Sequence, residues 1–131
     1  MRAIHVDANG TVSSCVLDGA TLTTLMDGIN ERLGSDWYDV IGYTDGIDLL
    51  VDDEGATGQG GRTKQPFNPV LSTMVQQTGH PAILHGPGLF LGHDADGNPA
   101  GLTEQQVAHV MTGWAAASRY DLVTAADLLT H

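Results

Sequence analysis

Residues 2–17, RAIHVDANGTVSSCVL, split around Asn9-Gly10 into two short apolar-rich segments, 2–7 and 11–17. Asn-Gly between extended apolar segments, with both residues tolerating positive φ, predicts two paired strands joined by a tight primed turn. From Leu22 a helical period begins. Leu22, Leu25, Met26, Ile29 and Leu33 recur at intervals of three and four, which marks one face of a helix that Gly34 ends. WYDVIGY and IDLLV then flank Thr44-Asp45-Gly46 as a second hairpin with the same turn chemistry. Val70, Leu71, Met74 and Val75 form the next helical stripe. Asn68 is a favoured N-cap, Pro69 suits the first helical position, and Gly79 with Pro81 stops the helix.

AILHGPGLFLG, residues 82–92, reads as two strands broken at Gly86-Pro87-Gly88, and residues 93–100 read as a turn. Thr103 and Gln106 form a capping box that opens a helix with Val107, Val110, Met111 and Trp114 on one face. DLVTAADLLTH at the end predicts a further short helix packing Leu122, Leu128 and Leu129. The expected fold is α+β, a single domain over residues 1–131. Its mixed or antiparallel sheet has about five to six strands built from hairpins, covered on one face by two to three helices.

The chain has 131 residues and 13.8 kDa, enough for one core, and its 41% hydrophobic fraction is that of a globular domain. No apolar run approaches the ~18 residues of a membrane span. MRAIHVDANG lacks the features of a signal peptide, and the single Cys15 supports no internal disulfide, so a cytoplasmic location is expected. Sixteen acids against five bases give a formal charge of −11, which repels nucleic acid and anionic lipid and argues against either as a direct partner.

Residues 51–70, VDDEGATGQGGRTKQPFNPV, run from acids through glycines to two of the five bases. Gly55 and Gly60 have the separation of a phosphate loop, but Gly61 stands where its lysine must be. The glycine-rich part, 55–61, reads as a mobile loop. Arg62 and Lys64, just ahead of the helix start at Asn68 and Pro69, form a candidate anion- or partner-binding loop. Asp36, Asp39, Asp45, Asp48, Asp52, Asp53 and Glu54 form a candidate acidic partner-binding surface.

HDADGNPAGLTE, residues 93–104, resembles a calcium loop until Gly97 is set at the turn glycine, which puts Thr103 where the bidentate acid belongs. A hairpin turn explains it better. His80, His85 and His93 match no zinc spacing, so neither metal nor cofactor is expected. Cys15 lies mid-strand as a half-buried thiol, Ser72 and Ser118 lie within helices, and no catalytic set emerges. Trp37-Tyr38, if exposed, would make a partner anchor.

MRAIHVDANGTV, DGIDLLVDDEG, the FNP segment and ILHGPGLFLGHDADGNPAGLTEQQ together resemble an uncharacterised small family, a domain of unknown function encoded by bacteriophages, mobile elements and actinobacteria. The resemblance covers residues 1–106, and Asn68-Pro69, Gly86-Pro87 and Gly101-Leu102-Thr103 are its most specific parts. Leu71 departs from it, since a small residue is usual there. The resemblance implies a phage or mobile-element accessory protein. The expected function is non-catalytic binding of a host protein in the host cytoplasm, modulating physiology or defence. Two alternatives remain: an acidic DNA mimic acting on a DNA-binding or restriction protein, and a small enzyme or ligand-binding domain built on residues 62–69 and the histidines.

Overall fold

The computed structural model describes residues 1–54 and 65–130, and side chains as far as residue 119; the expected 55–61 loop lies outside the described residues. The elements run β1 (Arg2–Val6), β2 (Val12–Val16), α1 (Leu22–Leu33), β3 (Tyr38–Gly42), β4 (Ile47–Asp52), α2 (Pro69–Gln77), β5 (Gly88–His93), β6 (Pro99–Ala100) and α3 (Glu104–Thr130). All pairings are antiparallel, in the order β2-β1-β5-β4-β3, with β6 pairing β5 beyond the end of β1. The fold is α+β, as expected. Among the described residues no helix is long and apolar enough to cross a membrane.

β5 joins the two hairpins, and its sequence explains why it sits centrally. Leu89 and Leu91 pack with Leu25, Ile29 and Leu33 of α1. Phe90, between them, points the other way and packs with Leu71 and Met74 of α2 and Val110 of α3. An apolar run without polar alternation suits a strand buried on both faces, and each such side chain contributes about 2–3 kcal/mol. Helices therefore cover both faces of the sheet, where the sequence suggested one. α2 approaches closely because Gly88 has no side chain: a Cβ there would run into a Leu71 methyl and lie 2.9 Å from Leu49. Leu71 is accommodated by this gap.

Three local expectations are corrected. At Asn9-Gly10 only Gly10 has positive φ, and its N–H donates to Asp7 O, so the turn is a wider Asp7–Gly10 turn with glycine at the left-handed position. The Asp7 and Asn9 side chains both accept from the Thr11 N–H, and these local bonds favour the wider form. At Thr44-Asp45-Gly46 the primed turn does form, with φ of 54° at Asp45 and 74° at Gly46. Residues 82–84 form no strand: only His85 makes an isolated bridge, to Phe67, and Ser72 Oγ accepts the Leu84 N–H at 2.8 Å. Finally, the expected terminal helix is continuous with α3, since no glycine or proline interrupts residues 114–130. The expected packing of Leu122, Leu128 and Leu129 lies outside the described side chains.

Candidate functional site

β3 is one edge of the sheet, and its hydrogen-bond phase fixes which backbone groups face outward. Asp53 N–H donates to Trp37 O, and Tyr43 N–H donates to Ile47 O. With the register Tyr38↔Asp52 to Gly42↔Asp48, the odd-numbered residues of β3 bond to β4. Tyr38, Val40 and Gly42 therefore turn their N–H and C=O groups away from the sheet, and among the described residues no strand pairs with them. Val40 is 58% exposed, and Trp37, one residue before the strand, is 65% exposed.

β2 forms the opposite edge and is treated differently. Its outward positions are Val12, Ser14 and Val16, and the Arg32 guanidinium donates to Val16 O at 3.2 Å. Cys15, on this strand, is partly buried; burial pushes its thiol up, while Arg32 and the N-terminus pull the other way.

Beside β3, on the face that carries α2 and α3, lies a hollow of about 180 Å³. Ile41, Val51 and Leu84 give it an apolar floor, and Asp39 and Asp53 stand at its walls. His85 also lines it, with its ring held by donation from Nδ1 to Gln65 O and edge-on against Phe67. Ile83 closes the far side and is 69% exposed. Neither Asp39 nor Asp53 has an ion-pair partner among the described residues. Larger grooves lie at Asp45, Gln105 and His109 (about 470 Å³), between β2 and α1 (about 430 Å³) and at Gln76, His80 and Ile83 (about 410 Å³), the last sharing Ile83 with the hollow.

The residues singled out from sequence fall in several places. Arg62 and Lys64 lie outside the described residues. Asn68 is fully buried, and the fold consumes its amide: Nδ2 donates to Asp7 O and Gly86 O, while Oδ1 accepts the Leu71 N–H. With Pro69 opening α2 behind it, Asn68 ties β1, the Gly86 turn and α2 together and offers no donor to an anion. The carboxylates divide as well. Asp39 shares a sheet face with Val51, whereas Asp48 and Asp52 point to the α1 side; Asp45 is in the turn, and Asp36 precedes β3. Asp52 is only 8% exposed, accepting from Gln65 Nε2 and from the Glu54 N–H. These residues do not form one exposed row.

The histidines do not converge either. His85 Nδ1 faces Gln65 O, His93 Nδ1 donates to Asp48 at 2.9 Å, and His80 lies by the groove at Gln76 and Pro81. Among the described residues no group of three or more His, Cys, Asp or Glu could hold a metal. In the 93–100 segment Asp94 accepts from the Asp96 and Asn98 N–H groups, the hairpin turn read from the sequence. The hollow itself was missed, because Ile83 and Asp39, distant in sequence, line it together only once residues 82–85 are folded back beside α2 and Phe67. The one signal was IDLLVD, apolar at neighbouring positions and so facing two layers.

No curated protein and no solved structure significantly matches this chain. A family model described as a domain of unknown function, DUF3846, matches residues 1–115, which contain every strand and helix up to the first turns of α3. The chain therefore belongs to the DUF3846 family.

Proposed function

We propose that this protein is a non-catalytic accessory protein of phage type that binds a host protein in the cytoplasm of an actinobacterial host, and so alters host physiology or defence. The observation that supports binding most strongly is the β3 edge, unpaired among the described residues, with Trp37, Val40 and Ile83 exposed around outward-facing backbone groups. An open strand edge is a template for another chain, and an exposed tryptophan is a common interface anchor. On the β2 edge Arg32 covers the Val16 carbonyl and Ser14 is outward, although the Val16 side chain is itself 73% exposed, so β2 serves as the comparison edge.

The test is affinity capture from host lysate with the folded protein and three edge variants, followed by reconstitution with each purified candidate. One saturable partner is expected, lost with Trp37→Ala and with Val40→Pro, which removes an outward N–H, and retained with Val16→Pro on the β2 edge. Partner binding that survives both β3 changes, or no partner that reconstitutes, overturns the reading.

A further inference from the structure

The β3 edge and the hollow beside it select for the same kind of visitor. Tyr38, Val40 and Gly42 each present one N–H and one C=O at strand spacing, which an extended backbone satisfies. The hollow is too small for a typical organic ligand, whose pockets run to roughly 300–1,000 Å³. At about 180 Å³ it suits one long side chain. Its floor is apolar, and its walls carry Asp39 and Asp53 with no cation of their own among the described residues. A lysine or arginine meets both requirements, since its stem lies along apolar surface while its head reaches carboxylate. Resting on the partner reading above, we propose that the partner adds an extended basic segment to the sheet as a seventh strand along β3. One Lys or Arg of that segment lays its stem on Ile41 and Val51 and its head between Asp39 and Asp53.

Charge decides against the other occupants. A second copy would bring another −11, and its own edge strand, YDVIG, carries no base. Nucleic acid is repelled for the same reason. Asp39 thus acts at the edge as a filter: it discourages indiscriminate strand pairing and favours a cationic segment.

The probe is a terminally blocked nine-residue peptide of alternating valine and arginine, titrated into the full chain by fluorescence anisotropy at low and high salt. Three comparison peptides accompany it: glutamate in place of arginine, N-methylation of alternate amides, and the same arginines gathered in one block. Saturable, salt-sensitive binding is expected for the alternating arginine peptide. It should weaken at least about tenfold on N-methylation, with the blocked order, with Val40→Pro, and with Asp39→Asn combined with Asp53→Asn. Circular dichroism of Val40→Pro checks that it is folded, and the N-methylated peptide tests the same backbone bonds without altering the protein.

Equal binding of the glutamate peptide, or indifference to Val40→Pro and to the double Asn variant, overturns the proposal. So does absence of peptide binding, or a Val40-dependent dimer in sedimentation, which would make a second copy the occupant. If the peptide fails while a lysate partner still requires Val40, only the basic-strand recognition falls. If both fail, the partner reading falls too.

Discussion

Asn68 shows how one buried polar side chain organises the chain. Its three side-chain bonds reach Asp7, Gly86 and Leu71, and its backbone N–H donates to Leu84 O. Asn68→Asp replaces the two donors with a charged acceptor facing two carbonyls, so urea unfolding should show a loss of about 2–4 kcal/mol. Leu71 and Gly88 form a second coupled pair. Gly88→Ala overpacks against Leu71 and Leu49 and should cost about 1–3 kcal/mol. Combined with Leu71→Ala, it should cost less than the two single changes added together, by at least about 1 kcal/mol.

Tyr43 gives a pH signature. Burial pushes its phenol up from the usual 10.0, and its ring packs edge-on against Phe90 at 5.1 Å. The unfolded chain therefore releases this proton first as pH rises. The stability held by the neutral phenol is full below the ordinary tyrosine pKa of about 10 and is lost as pH climbs through the folded value. Tyr43→Phe should remove part of that alkaline loss in melts compared at about pH 9 and 11, with Tyr38, shifted upward by the same cause, supplying some of the remainder.

At the scale of elements, neighbouring positions on β3 should respond oppositely to proline. The Val40 N–H points outward, so Val40→Pro should leave stability within about 1 kcal/mol of the parent, as edge strands allow. The Ile41 N–H belongs to the ladder with β4, so Ile41→Pro should cost about 3 kcal/mol or more. Thermal melts of the two variants check the assigned phase. Which elements form was legible because the signals are local: apolar segments either side of Asn9-Gly10, the helical period of α1, Asn68-Pro69 at the start of α2, Thr103 with Gln106 at the start of α3. Which elements meet was not. Residues 82–85 look like a strand by composition, yet their partners are Ser72 and Phe67, fixed by the return from α2. The Asn9-Gly10 turn likewise depended on where the Asp7 and Asn9 side chains pointed. Apolar neighbours in IDLLV and GLFLG are the signal for two covered faces that the expectation of one covered face did not use.

For the whole molecule, helices cover both sheet faces and Arg32 covers the Val16 carbonyl on the β2 edge, whereas among the described residues no strand pairs with the outward groups of β3, beside which Trp37 is exposed. The acids were visible in the sequence, but their division between faces was not, because it depends on the register Asp39↔Val51 and Gly42↔Asp48. A net charge of −11 should make association with a cationic partner fast at low salt and slower as salt rises, with much of the change in the on-rate.

The most direct test is amide hydrogen exchange of the full chain, alone and with the reconstituted host partner. In the free protein the Tyr38, Val40 and Gly42 amides should exchange quickly while Asp39, Ile41 and Tyr43 are protected. With the partner bound, the first three should become protected while Ser14 and Val16 on the β2 edge stay unchanged. Fast exchange at Val40 in the complex, with new protection confined to another surface, would contradict the account.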